Sequence, residues 1–343
     1  MRQLPIDHNA DVWAAEYVKL LRSTGLRKKA LKSIDDLILK FKPADKVYFY
    51  KHRSNTPLGP IEGQKVIDYL TLVRKMYDSA RVMHPYKFGN LVRRFEKLIS
   101  RTFINYKISV NTGDKTESLS ASIVTALHYK EMRSGVYPVI AHKMGVKACV
   151  YCNANYTITD SNNKGYFDLD HWKPKSLYPY LCVSFFNLQP SCANCNRNKN
   201  DEDGDFFRLW GTRGQKNLSV LGVNVTNNSI ARYLINHDAN ELRPIFYAKK
   251  TGSHDMMLHT DQKLHITQIY NEHKDVAEEV IWKTLAYKRS YVKGWRNAIK
   301  KAVPSQAHIN RFILGTYDRP EDIHKRPLTD FAQNIARQLG LIK

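Results

Sequence analysis

Phe167-Asp168-Leu169-Asp170-His171-Trp172-Lys173-Pro174-Lys175-Ser176 is followed by Asn187-Leu188-Gln189-Pro190-Ser191-Cys192 and then by Cys195-Asn196-Arg197-Asn198-Lys199. The block is tied to two C-x-x-C pairs, Cys149/Cys152 and Cys192/Cys195. Four thiolates are the complement of a closed tetrahedral zinc site. The 39 residues between the pairs exceed the ~15–20 of the simplest zinc ribbon, so a folded piece must fill the gap. A redox-active C-x-x-C is the competing reading. Such a pair usually sits on a helix in a thioredoxin-like βαβ setting, and no such pattern surrounds either pair. A closed zinc site leaves no position for substrate, so this zinc holds the fold rather than performing chemistry. Cys182, the fifth cysteine, reads as a core thiol.

The residues inside the frame suit phosphodiester hydrolysis. That reaction needs a deprotonated water aimed at phosphorus and a cation to absorb charge on the phosphate oxygens. A neutral imidazole serves the first need, because its pKa lies near working pH. A carboxylate and an amide oxygen are hard donors that suit Mg²⁺ or Mn²⁺, with the remaining positions left to water and phosphate. Asp170 and His171 are neighbours, so on a strand their side chains point to opposite sides. One can hold the metal while the other reaches the water. Asn196 follows the last cysteine at the expected start of a short helix. Asn187 is positioned to fix the loop that carries His171. Asp168 and Asn198 are further candidates for the ligand roles. Taken singly none of these residues is diagnostic; their order between two cysteine knuckles is.

The pattern C-x-x-C, D-H-x-x-P, N-L-x-x-x-C-x-x-C-N-x-x-K resembles the HNH (ββα-metal) nuclease superfamily, in its zinc-containing branch. The resemblance implies His171 as general base, Asp170 and Asn196 as catalytic-metal ligands and Asn187 as structural support. It also implies Cys149, Cys152, Cys192 and Cys195 on zinc. Many members have His where this chain has Asn196. The stretch from Asp168 to Asp201 is more narrowly similar to HNH subunits of Septu-type anti-phage systems. The similarity continues more weakly through Arg243–Phe246 and His265–Asn271. In those systems the HNH protein works beside an ATPase of the SMC/ABC type, which the resemblance therefore implies as a partner.

The remainder of the chain sets the context. In 343 residues, 54 Lys and Arg stand against 32 Asp and Glu, a formal charge of +22. Such an excess attracts polyanions and points to nucleic acid. A hydrophobic fraction of 43% allows an ordinary buried core. No run approaches the ~20 apolar residues of a membrane span, and residues 1–9 lack a signal-peptide pattern, so a cytoplasmic location without membrane contact is expected. Residues 1–145 read as a helical domain, 146–210 as the nuclease module and 211–343 as a mostly helical region, an α+β protein overall. Helices are expected at Ile34–Phe41, Val66–Tyr77, Phe88–Phe103, Leu119–Met132, Asn271–Val303 and Leu328–Leu339, and loops at Asn55–Gly63 and Asn111–Lys115. Asn155–Ile158 and Tyr166–Leu169 read as a hairpin, followed by a helix from Cys192 to Lys199.

Lys173, Lys175, Arg197 and Lys199 flank the constellation and are the expected nucleic-acid contacts. Two further basic stripes follow helical spacing: Arg93/Lys97/Arg101 and Arg289/Lys293/Arg296/Lys300. Either can track a phosphate backbone or simply form a solvated face. Three functions stay open: a DNA endonuclease of a defence complex, an HNH nuclease aimed at RNA such as tRNA, and a catalytically silent zinc-stabilised nucleic-acid-binding or assembly module. DNA stands ahead of RNA.

Overall fold

Asp7 caps the first helix, its Oδ1 accepting the Ala10 amide at 3.1 Å and so satisfying one of the orphan N–H groups of a helix start. The computed structural model describes residues 1–42, 44–51, 56–110, 116–287, 294 and 305–342. Helices α1 (His8–Ser23), α2 (Leu26–Phe41) and α3 (Gly63–Ala80) each bury one stripe. In α3 it is Val66, Tyr69, Leu70, Val73, Tyr77 and Ala80, the spacing of an amphipathic helix. Gly25, at φ 75°, makes the left-handed turn between α1 and α2.

The N-terminal part is not purely helical. It holds a four-stranded antiparallel sheet of β1 (Lys46–Tyr50), β2 (Pro57–Glu62), β3 (Lys107–Val110) and β4 (Thr116–Ser118), in the order β2-β1-β3-β4. Pro57, Gly59 and Pro60 made β2 read as a loop. As an edge strand β2 has one side with no ladder to satisfy, so proline is tolerated there. The helix expected over Phe88–Phe103 is broken into α4 (Phe88–Glu96) and α5 (Arg101–Ile104), with the Ser100 side chain capping the second. Arg93, Lys97 and Arg101 therefore form no continuous stripe, and Arg101 turns instead to Glu96 and Asp203 (both 3.1 Å). Helices α6 (Leu119–Ala126) and α7 (Tyr129–Glu131), a π-helical turn over Met132–Val136, and α8 (Tyr137–Met144) lead into the cysteine region.

In that region β5 (Ile158–Thr159) pairs with β6 (Gly165–Tyr166), as the expected hairpin does. The hairpin stops there. Phe167 turns against the Tyr137 ring (centroids 6.2 Å). The next strand, β7 (Asp168–His171), takes a different partner, β8 (Leu188–Ser191), in antiparallel register. Helix α9 (Ala193–Lys199) follows directly. The order strand, strand, helix is present, but its first two members are β7 and β8 rather than the two arms of the hairpin.

Beyond it lie an antiparallel pair, β9 (Leu221–Val225) and β10 (Pro244–Ala248), and helices α10 (Asn227–Asn236), α11 (His254–Leu264), α12 (Ile266–Asn271), α13 (Lys274–Ala286), α14 (Gln306–Leu314) and α15 (Thr329–Gln338). The helix expected from Asn271 is α13. Residues 288–293 and 295–304, and with them Arg289, Lys293, Arg296 and Lys300, lie outside the described residues, as do Asn111–Lys115. No helix among the described residues is long and apolar enough to cross a membrane. The protein is mixed α/β with small sheets.

Buried apolar side chains from Met1 to Ile342 form one continuous cluster. The C-terminal segment closes directly on the first cysteine pair. Asn153 gives its Nδ2–H to the Ile323 carbonyl (2.8 Å) and accepts the Asp330 amide (3.1 Å). The amides of Lys147 and Ala148 both go to the His324 carbonyl. His324 itself is buried, and its Nε2–H is held by the Arg2 carbonyl at 2.6 Å. Burial pushes its pKa down to about 4 from 6.5. A depressed imidazole stabilises the fold above pH 6.5, and that contribution is lost as pH falls through 4. Melting temperature should therefore drop as pH is lowered from 6.5 to 4. His324→Gln should flatten that slope, removing roughly 3 kcal/mol of pH-dependent stability; identical slopes in the two proteins would exclude His324 as a cause.

Candidate active site

Cys149, Cys152, Cys192 and Cys195 are all buried, and their Sγ atoms lie within 4.8 Å of one another. Cys152 and Cys192 are 4.0 Å apart. A tetrahedral ion with Zn–S near ~2.3 Å sets sulfurs roughly 3.8 Å apart, so the four donors fit a metal such as zinc. Four buried thiolates packed this closely need a divalent cation to coexist. The surrounding hydrogen bonds point inward: the Cys192 amide donates to Cys149 Sγ (3.3 Å) and the Ala154 amide to Cys152 Sγ (3.4 Å). Tyr270, from α12, fixes the first pair through its hydroxyl on the Cys152 carbonyl (2.8 Å).

The cluster seats α9 against β7. Asp168 and Asp170 are two apart on the strand and face the helix, where Asn196 and Lys199 are three apart on one face. Each acid meets one of them. Asn196 donates its Nδ2–H to Asp168 Oδ2 (3.1 Å), and Arg133, from the π-helical turn, caps the other oxygen (2.9 Å). Asp170 is buried and pairs with the fully buried Lys199 ammonium (3.3 Å), which also donates to the His171 carbonyl (2.9 Å). Tyr151 completes the set by donating its hydroxyl proton to Asp170. Burial pushes the Asp170 carboxyl up, against the pull of Lys199 and Tyr151.

His171 leaves β7 on the opposite side. Its Nε2 lies 2.9 Å from the Cys182 carbonyl. A carbonyl only accepts, so Nε2 carries the proton and Nδ1 keeps its lone pair. Burial, aided by the Lys175 charge, pushes the imidazole pKa down to about 3. The ring is therefore neutral, but burial makes it a weaker base than the near-neutral imidazole expected from the sequence, and the Tyr129 ring lies beside it (5.0 Å). Asn187 clamps the loop from both ends: its Oδ1 accepts the Lys173 amide (2.8 Å), and its Nδ2 donates to the carbonyls of Lys173 (3.0 Å) and Leu181 (3.2 Å). That clamp brings the segment carrying Cys182 back onto His171.

The ligand pair expected from the motif is thus rearranged: Asn196 meets Asp168, while Asp170 is engaged by Lys199. Lys199, expected among the nucleic-acid contacts, has its ammonium buried in that ion pair rather than presented at the surface. Lys173 is tied to Asp203 (2.8 Å). Lys175 lies over the Tyr129 ring (5.7 Å), and Arg197 is exposed at the outer face of α9. Sequence reasoning missed Tyr129 and Arg133, which reach the site from a helical segment 35 or more residues upstream of the residues they touch. Only their spacing of four on one helix hints that they act together. The role of Lys199 was legible in principle, since i, i+3 spacing from Asn196 places both on one helix face. Among the described residues no second group of three His, Cys, Asp or Glu gathers beside the four cysteines. A catalytic divalent ion would therefore rest on one carboxylate, an amide oxygen, water and phosphate, a donor set that fits Mg²⁺.

Metal analysis of purified protein should find about one zinc per chain, and Cys195→Ser should lose it together with cooperative melting. Lys199→Met should destabilise the fold by about 3–5 kcal/mol, because it strands a buried carboxylate. A melting curve superposable on wild type would show that the pair carries no such weight.

No family model matches the chain, and no solved structure matches it. One curated relative is the "Septu protein PtuB" of Bacillus thuringiensis, 39% identical over 61 residues. The match covers 18% of this chain and 22% of the relative, so the chain spans about a fifth of that protein's length.

Proposed function

We propose that the protein is a metal-dependent HNH endonuclease that hydrolyses phosphodiester bonds, with its nuclease module in residues 146–210 between the flanking stretches 1–145 and 211–343. One observation carries the reading. A neutral, tautomer-fixed imidazole, His171, and a hard-donor pair, Asp168 and Asn196, lie on opposite sides of one strand, β7, which a four-cysteine cluster holds against α9. Zinc on the cysteines is architectural, and Mg²⁺ or Mn²⁺ is catalytic.

In this reading His171 takes the proton of the attacking water on Nδ1, held in that tautomer by the Cys182 carbonyl. Asn187 positions the loop and makes no contact with substrate. Asp168 and Asn196 hold the divalent ion, and Asp170, with Lys199 as its counter-charge, braces the strand from behind and is the reserve ligand. The ion supplies charge neutralisation on the phosphate oxygens when bound. Lys175, Arg197 and the free side of Lys173 meet the substrate backbone. The charge of +22 supports a polyanionic substrate, and DNA is placed ahead of RNA. The short similarity to a Septu protein supports a role as nuclease effector of an anti-phage defence complex, beside an SMC/ABC-type ATPase in the cytoplasm.

The test is cleavage of plasmid, linear DNA and tRNA with Mg²⁺ or Mn²⁺, with and without a copurifying ATPase. His171→Ala should lose about two or more orders of magnitude in rate, and Asn196→Ala and Asp168→Ala roughly tenfold or more. Equal cutting by wild type and His171→Ala would sink the base assignment. Nucleic-acid binding without cutting in every condition would favour the silent binding module.

A further inference from the structure

The β5–β6 hairpin carries its side chains inverted for a ribbon that ends at water. Side chains alternate between the faces of a strand. Thr157 is 1% exposed, and its hydroxyl and that of Thr159 are buried without a hydrogen-bond partner. On the outer face Tyr156 and Ile158 are 58% and 39% exposed, and Tyr166, paired directly across from Ile158, is 52% exposed. Threonines thus face the protein while three large apolar side chains face solvent. Reversing the two sets would favour an isolated ribbon, so the outer face is built to be covered.

Its charge selects the occupant. The Lys164 ammonium lies 5.4 Å from the centre of the Tyr166 ring. Lys147 is exposed on the adjoining segment, whose carbonyl accepts the Thr157 amide (2.9 Å). Asp160, the one acid between Cys152 and Phe167, accepts the amides of Asn162 (2.9 Å) and Lys164 (2.8 Å) on Oδ1 and the Tyr166 hydroxyl (3.3 Å) on Oδ2, so it holds the rim of that ring and leaves its face open. Tyr166 stands two residues before Asp168. The ribbon is also anchored to the cysteine cluster, since Tyr156 bridges to Ala148, next to Cys149. Exposed rings with an ammonium group against one of them match the bases and phosphates of a nucleic-acid strand.

We propose that this face is a stacking platform for the nucleic-acid strand that enters the candidate active site. Bases stack on Tyr156 and Tyr166, Ile158 packs beside them, and Lys147 and Lys164 meet phosphates. The inference rests on the phosphodiesterase reading and extends it to the substrate's path.

The test is fluorescence anisotropy with dye-labelled single strands and duplexes of about 30 nucleotides, without added divalent metal so that nothing is cut. The Tyr156→Ala/Tyr166→Ala double variant should bind about tenfold or more weakly, and Tyr156→Phe/Tyr166→Phe within about twofold of wild type, because stacking needs the ring and not the hydroxyl. Zinc content and melting temperature should be unchanged in both. Wild-type affinity in the folded double-alanine variant overturns the platform and leaves the nuclease reading standing. A change in oligomeric state without a change in affinity overturns it in favour of self-association. Failure of wild-type protein to bind any nucleic acid, alone or with its ATPase, overturns both readings.

Discussion

Four sulfurs within 4.8 Å of one another join two segments some 40 residues apart, and the geometry of the site depends on that junction. The second cysteine pair opens α9, so whatever fixes the sulfurs also fixes the axis and rotation of that helix against β7. A seven-residue helix is too short to be stable by itself. The β7–β8 pair is four residues long, equally marginal alone. Leu169 and Leu188 tie the strand pair to the apolar core, and the cysteine cluster adds the junction that seats the short helix against it. The same stretch is held from outside by Tyr270 on the Cys152 carbonyl and by Asn153 between Ile323 and Asp330. The C-terminal helices thus act as a backing plate.

On that frame the two acids of β7 have different environments. Asp170 is buried with a buried ammonium and a tyrosine hydroxyl, an arrangement that fixes the strand and is costly to break. Asp168, half-buried, meets an amide and a guanidinium that can both exchange partners with solvent. Two carboxylates separated by one residue therefore face different tasks, set by depth rather than by sequence. His171 is isolated from both on the other face of the strand, where burial removes its charge and a carbonyl fixes its proton. A site that needs a neutral base beside a cation gains from this separation, because the strand backbone keeps the two groups from pairing.

The helical N-terminal region is part of the site. Tyr17 gives its hydroxyl to the Val183 carbonyl (2.9 Å), and Arg81 offers its own carbonyl to the Phe185 amide (2.8 Å). Both brace the loop whose Cys182 carbonyl orients His171. Tyr129 reaches the Leu169 carbonyl (3.0 Å) and Arg133 reaches Asp168. A mutation in α1, α3 or the π-helical turn can therefore move the loop or the strand that carries His171.

The sequence alone determined the donor chemistry: two C-x-x-C pairs, the adjacent Asp170 and His171, Asn187 ahead of the second pair and Asn196 just after it. Those features are legible because metal and proton chemistry demand particular residue types at short spacings. It also determined most of the helices, through apolar periodicity. Tertiary structure decided which acid meets Asn196, that Lys199 is buried in an ion pair with Asp170, and which upstream residues cap the site. It also showed the N-terminal sheet, where β2 hid behind prolines that an edge strand tolerates. The physical reason is common to these cases. Burial and partner choice depend on segments far apart in the chain, and neither the period of a helix nor the spacing of a motif records how deep a carboxylate will lie.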